Sequence, residues 1–99
     1  MSIIKINENP NCRVLLGTGS MFPQEFHVQA DNKTTASNLV ADYCTEYELH
    51  GLYADHYELV DLCEAGQTVD EFASVHNLTC CGKHGVYINI IGIEELKDV

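Results

Sequence analysis

Basic side chains are missing from the middle of this sequence. Between Thr34 and Gly82 there is no Lys and no Arg, although the same segment contains nine carboxylates. These are Asp42, Glu46, Glu48, Asp55, Glu58, Asp61, Glu64, Asp70 and Glu71. We call Thr34–Gly82 the basic-free segment; it carries nine of the ten net negative charges. Such a charge repels phosphate backbones and anionic membranes and attracts basic surfaces. We therefore expect no direct nucleic-acid or membrane partner.

The sequence also lacks a run of apolar residues long enough to span a membrane. Its N-terminus lacks the basic and then apolar pattern of a signal peptide, so we expect a cytoplasmic protein. The five cysteines are an odd number, and a closed disulfide framework would leave one thiol over. With 99 residues and a hydrophobic fraction of 45%, the chain suits a single folded domain, residues 1–99.

The N-terminal third predicts extended structure. Residues 1–10 read as a short arm or an edge strand, and residues 12–18 are rich in strand-forming residues. A glycine-containing connection follows, and residues 25–31 then alternate. In that alternation Phe26, Val28 and Ala30 point one way and Glu25, His27 and Gln29 the other, which predicts a half-buried strand.

Three helices are predicted next. An apolar stripe at helical spacing runs through Ala36, Leu39, Val40, Tyr43, Cys44 and Tyr47, with Asp31 or Thr34 as the N-cap and Gly51 as the C-terminal cap. Residues 55–65 fit a helix capped by Asp55 or, alternatively, a strand over residues 57–62; we prefer the helix. Residues 68–71 form a capping-box pattern that opens a short helix ending at Asn77.

The C-terminal part predicts one more strand. Residues 78–85 contain glycines that argue against regular structure, and residues 86–91 read as a third strand, apolar on both faces. Residues 93–96 could add one helical turn. The predicted fold class is α+β, a small and mainly antiparallel sheet of about three strands. The helices lie on one face, in the order β-β-α-α-α-β.

A cluster of cysteine and histidine offers one possible chemistry. His76, Cys80, Cys81 and His84 lie within nine residues and are all residue types that bind zinc. A structural zinc site normally shows two recognisable ligand pairs, and adjacent cysteines point to opposite sides of an extended chain. We therefore expect no cofactor, and keep a zinc-stabilised domain as the alternative. Nucleophilic catalysis by Cys81 is disfavoured because the acidic surroundings raise a thiol pKa, so we expect no enzymatic activity.

The acidic surface is the other candidate. Carboxylates three or four residues apart on a helix lie roughly 5–6 Å from one another, a spacing similar in scale to that of phosphates along a nucleic-acid strand. We expect partner binding by Asp42, Glu46, Glu58, Asp61 and Glu64, each as an exposed, phosphate-like charge. The alternative explanation is that this charge only keeps the protein soluble.

Three stretches carry a resemblance to a known group. Residues 26–43, 51–59 and 79–85 resemble small acidic accessory proteins of phages and conjugative elements in Gram-positive bacteria, to which no activity is attached. Many small acidic proteins of such elements inhibit host defence nucleases. The acidic surface and this resemblance together predict an inhibitor or modulator of a basic, nucleic-acid-binding partner; the alternative is a structural accessory protein without an inhibitory role.

Overall fold

A computed structural model of the chain describes residues 3–18 and 22–96. Parts of the predicted N-terminal arm and of the connection after residue 18 lie outside these ranges. The described residues form six strands and three helices: β1 Ile3–Lys5, β2 Cys12–Leu16, β3 Gln24–Val28, α1 Lys33–Glu46, α2 His56–Leu62, α3 Val69–Val75, β4 Thr79–Cys81, β5 Val86–Ile88 and β6 Ile90–Glu95. The α+β class is as predicted, whereas the expected three strands and the order β-β-α-α-α-β are wrong in detail.

The strands form two sheets. The larger has the order β1-β3-β2-β6, in which β1 runs parallel to β3 and the other neighbours are antiparallel. It is therefore a mixed sheet, and β1 is the edge strand suggested by the sequence. The smaller sheet is the antiparallel pair β4-β5. It is extended by a bridge between Ala54 and Tyr87.

The main core lies between the larger sheet and α1. Alternate residues of β2 and β3 are fully buried on one face of the sheet, and α1 covers them. The alternation predicted for Phe26, Val28 and Ala30 is confirmed, since all three are buried. The stripe predicted for α1 is confirmed at Ala36, Val40 and Cys44, which are 0% exposed.

Helix α1 begins and ends at residues other than those predicted. Asn32, rather than Asp31 or Thr34, is the N-cap, and its side chain accepts from Thr35 N at 2.8 Å. The helix ends well before Gly51, because Leu49 N donates to Cys44 O at 2.9 Å and Glu48 N to Thr45 O at 3.3 Å. These two hydrogen bonds together form a Schellman motif. It places Glu48 in the left-handed region, with φ of 51°.

Helices α2 and α3 form a second, smaller core. The helical alternative for residues 55–65 is confirmed, with Asp55 as N-cap, and the capping box of Thr68 and Glu71 is present. Leu59 of α2 and Ala73 of α3 pack with Tyr87 of β5. These two helices therefore pack on the smaller sheet, whereas the prediction placed all helices on one face of a single sheet.

The C-terminal predictions need three corrections. Residues 79–81 form β4 although glycines follow them, because the turn between Gly82 and Gly85 gives a hairpin. The predicted strand 86–91 is divided at Asn89 into β5 and β6, which belong to different sheets. Residues 93–96 continue as strand and irregular chain instead of a helical turn, since β6 pairs with β2 as far as Glu95.

None of the helices in residues 3–18 and 22–96 has the length and apolar character needed to cross a membrane.

Glu48 is a position where one substitution should stabilise the fold. A left-handed backbone disfavours most residues but is tolerated by Asn, and a carboxylate at a helix C-terminus opposes the helix dipole. We expect Glu48→Asn to raise the free energy of unfolding by about 0.5–1 kcal/mol, measured by chemical denaturation.

The control for this change lies at the end of α3. Asn77 holds the same position in a second Schellman motif, with φ of 56° and Leu78 N bonded to Ala73 O at 2.8 Å. Asn77→Glu should therefore be destabilising by a similar amount. If neither variant shifts the unfolding curve, the left-handed backbone is not a source of strain in this protein.

Candidate functional site: the acidic surface of helix α2

Helix α2 is attached to the fold by one buried side chain. Asp55 accepts a hydrogen bond from Glu58 N at 2.8 Å and so caps the first turn. Of the seven residues His56–Leu62, Leu59 alone is buried. Helix α2 therefore presents most of its circumference to solvent.

The exposed side chains of α2 are a mixture of acidic and apolar groups. Tyr57 is 80% exposed, Leu62 61% and Val60 48%, while Glu58, Asp61 and the following Glu64 are also exposed. We define the α2 surface as these six residues. Isolated apolar side chains are normal on a protein surface. Tyr57 and Val60, three positions apart on one side of the helix and among carboxylates, instead resemble an interface with an apolar centre and a charged rim. Leu62, two positions after Val60, lies on another side of the helix.

The carboxylates of the α2 surface are not neutralised by the rest of the protein. Within residues 3–18 and 22–96, the side chains of Glu58, Asp61 and Glu64 form no ion pair and accept no hydrogen bond. Glu58 also lines a groove of about 380 Å³ beside Tyr53 and Tyr87. These charges are therefore available to an external cation.

The other two predicted acids lie on α1. Glu46 is exposed in the last turn of α1, next to Tyr47, which is 58% exposed and packs against Tyr43 with ring centroids 4.4 Å apart. Glu46 is thus placed as an accessible charge, but on a different element from Glu58, Asp61 and Glu64.

Asp42 is held inside the fold by a hydrogen bond and is not an exposed charge. It is half-buried, and its Oδ1 accepts from Lys83 N at 2.8 Å. One turn earlier, Asn38 Oδ1 accepts from Gly82 N at 2.8 Å. The two side chains hold the turn between β4 and β5 against α1. The expectation that Asp42 is a free, phosphate-like charge is therefore corrected.

The four predicted zinc ligands point in different directions. Cys81 Sγ lies 3.7 Å from Ser37 O on α1, whereas Cys80 is exposed with its Sγ 3.5 Å from Gly85 O. The His76 ring packs on Phe72 at a centroid distance of 4.2 Å, and His84 is exposed in the turn. In the part of the chain that the structure describes, no three His, Cys, Asp or Glu side chains are grouped to hold a metal ion.

Two thiols, Cys44 on α1 and Cys81 packed against α1, are held in the protonated form. Burial raises the pKa of Cys44 to about 12, and the nearby Cys81 adds to this effect. Burial, together with Cys80 and Asp42, raises the pKa of Cys81 to about 11. A nucleophilic cysteine needs a lowered pKa, so the electrostatics around Cys81 oppose that role.

No sequence pattern predicts the charged network on the face of the larger sheet opposite α1. Arg13 lies 3.4 Å from Glu25 and 3.5 Å from Glu94, and His27 Nε2 is 2.6 Å from Glu25 Oε2. The Arg13 contact with Glu25 is an ion pair without hydrogen-bond geometry, since Arg13 Nε has no hydrogen-bond partner. Alternation places Glu25 and His27 on one face, but the strand order that brings Arg13 and Glu94 beside them has no local signal.

Comparisons with protein-family models, with curated proteins and with solved structures give no match to this chain. The functional argument therefore rests on the geometry and charge of the chain itself.

The anchoring role of Asp42 can be tested by mutation. Asp42→Ala removes the acceptor for Lys83 N and should lower the free energy of unfolding by about 1–2 kcal/mol. Asp42→Asn keeps an acceptor oxygen and should lower the free energy of unfolding by less. Urea denaturation measures both. Equal stability of the two variants would show that this hydrogen bond does not hold the turn.

A glycine pair provides an independent test of the same contact. A Cβ at Gly82 would lie 2.9 Å from Ala41 Cβ, whereas the nearest atom to a Cβ at Gly85 is 4.0 Å away. Both glycines have positive φ, so the two alanine variants share the backbone cost. We expect Gly82→Ala to be clearly less stable than Gly85→Ala. Equal losses of stability in the two variants would mean that the turn does not pack closely against α1.

The raised thiol pKa values predict a loss of stability at alkaline pH. In the unfolded chain these thiols ionise near the ordinary value of 9.0, whereas Cys81 and Cys44 of the folded protein do so near 11 and 12. The unfolded state therefore loses protons first, and stability falls as the pH rises above about 9.

This pH dependence can be measured by denaturation at pH values from about 8.5 to about 11. Cys44→Ala should be less stable at neutral pH because it leaves a cavity, but its stability should fall less steeply above pH 9. If the stability of this variant falls with pH as steeply as that of the unaltered protein, Cys44 is not a source of the alkaline loss of stability.

Proposed function

We propose that this protein acts by binding a basic protein partner through the α2 surface. The observation that carries the proposal is the combination, on α2 and directly after it, of exposed apolar side chains with three carboxylates that have no partner within the described residues. The proposed action is non-enzymatic and takes place in the cytoplasm.

The apolar side chains supply the centre of the proposed contact. Tyrosine at the centre of an interface buries a large area at low entropic cost and is frequent among the residues that dominate binding energy. Tyr57 is the most exposed of the large apolar residues of the described chain, and Val60 lies three positions further on, on the same side of the helix. Burial of this pair by a partner would remove exposed apolar area from water.

The carboxylates make the proposed contact selective for a basic partner. Glu58, Asp61 and Glu64 form a row spaced by three residues, and Glu46 adds a further exposed charge on α1. No Lys or Arg occurs in the basic-free segment, so a partner's Lys and Arg side chains meet no competing Lys or Arg within it. Complementary charge mainly raises the association rate and excludes unsuitable partners.

The charge row also supports a more specific version of the proposal. Glu58 and Asp61, three residues apart on α2, are roughly 5–6 Å from one another, which is comparable with the spacing of backbone phosphates, and Glu64 follows after the end of the helix. A nucleic-acid-binding protein would meet such a row with the basic side chains that it uses for phosphates. In this version the protein inhibits or modulates that partner by occupying its binding surface.

The proposal predicts salt-sensitive binding that depends on α2. With the protein as bait, we expect a basic partner to be retained at low salt and released as screening increases. The double variant Asp61→Lys and Glu64→Lys should abolish retention. Tyr57→Ala should weaken the affinity about tenfold or more, measured by calorimetry with the purified partner.

A matched control separates α2 from total charge. Glu8 and Glu48 are exposed and lie outside α2, so Glu8→Lys together with Glu48→Lys changes the net charge equally. This control should retain the partner. If it loses binding as the α2 variant does, or if the α2 variant binds normally, the α2 surface is not the contact.

A further inference from the structure

Strand β6 leaves one side of its backbone open. It is the last strand in the order β1-β3-β2-β6, so in the described part of the chain it pairs with β2 alone over Ile90–Glu95. Unpaired N–H and C=O groups at a sheet edge are a template for another extended segment. Six residues are long enough for such a segment to add as a strand.

The register shows which groups of β6 face outwards. Leu96 N donates to Asn11 O at 3.0 Å, and Arg13 lies opposite Glu94. Along a strand of an antiparallel pair, the backbone N–H and C=O of one residue bond to the neighbouring strand, and those of the next residue point away from it. Ile93 and Glu95, which lie between the bonded positions, therefore direct their backbone N–H and C=O away from β2.

A groove lies next to this edge. Its volume is about 530 Å³, and it is formed where the end of β6 meets the start of α1. Its apolar part includes Cys12, Ala30 and Ile93, which belong to or pack against the main core. A strand added along β6 would place alternate side chains over this groove.

The charges beside the groove select the occupant. Asp31 and Glu95 are exposed there, Glu94 is exposed on the opposite face of β6 beside Arg13, and Lys33 is the one cation among the described residues of the lining. A second copy would bring Glu94 and Glu95 against its own carboxylates, between molecules that each carry a net charge of −10. A segment that alternates basic and small apolar residues would match both the carboxylates and the apolar floor.

We propose that the free edge of β6, together with the groove at the start of α1, binds an extended basic peptide segment as an added strand. Main-chain hydrogen bonds to Ile93 and Glu95 supply affinity, and the groove and carboxylates supply selectivity. This site is distinct from the α2 surface, so a partner could use either one alone.

The test uses synthetic peptides and the full chain. The probe is a capped six-residue peptide that alternates lysine and valine, and the control peptide has glutamate in place of lysine. We expect the lysine peptide to bind about tenfold more tightly than the control. On binding, the backbone amides of Ile93 and Glu95 should exchange with solvent about tenfold more slowly, as measured by nuclear magnetic resonance.

Two variants at one position separate the backbone from the charge. Glu95→Pro removes the outward N–H, whereas Glu95→Ala keeps it and removes only the carboxylate. We expect Glu95→Pro to weaken binding about tenfold and Glu95→Ala only about twofold. Thermal melting of each variant checks that it is folded. If Glu95→Pro does not fold, the proposal is tested by which amides of the unaltered protein the peptide protects from exchange.

Four outcomes would overturn the proposal. These are equal binding of the two peptides, equal binding by the Pro and Ala variants, and protection of amides outside β6. The fourth is concentration-dependent dimerisation that protects Ile93 and Glu95 without peptide. The double variant Asp61→Lys and Glu64→Lys should bind the peptide with unchanged affinity. A loss there would assign the peptide to the α2 surface instead.

Discussion

The packing of α1 against both sheets is the constraint on which the rest of the structure depends. Along its length α1 contacts β2 and β3 of the larger sheet and β4 and β5 of the smaller one. Its buried residues are mostly small, and Ala41 would be 2.9 Å from a Cβ at Gly82. A small residue at position 41 and glycine at position 82 together allow the hairpin to reach the helix. Asn38 and Asp42 then bind the hairpin turn through its backbone.

The two-sided burial of α1 determines which acidic residues can reach a partner. Asp42 faces the hairpin and is used inside the fold, whereas α2 lies on the smaller sheet with Leu59 as its one buried contact. A helix of seven residues is not stable alone and depends on its cap and its packing. It follows that α2 can expose apolar and acidic side chains together because Leu59 and Asp55 hold it in place.

Two surfaces of the protein differ in how far their charges are offset by opposite charges. On the face of the larger sheet opposite α1, Arg13 lies within 3.5 Å of Glu25 and Glu94, and its charge offsets part of theirs. On α2 the acids have no partner within the described chain. The uneven distribution seen in the sequence is therefore preserved in three dimensions. It leaves the α2 surface as a site of uncompensated negative charge, while the β6 edge has a smaller acidic group.

Local patterns in the sequence determined the helices, the caps of α2 and α3, the buried faces of β3 and α1, and the acidic character of α2. These features follow from periodicity and capping, which act over a few residues. The tertiary structure alone decided the strand order, the division at Asn89, the hairpin from β4 to β5 and the inward role of Asp42. Each of these depends on contacts between residues far apart in the chain, as between Asp42 and Lys83, and such contacts leave no periodic signal.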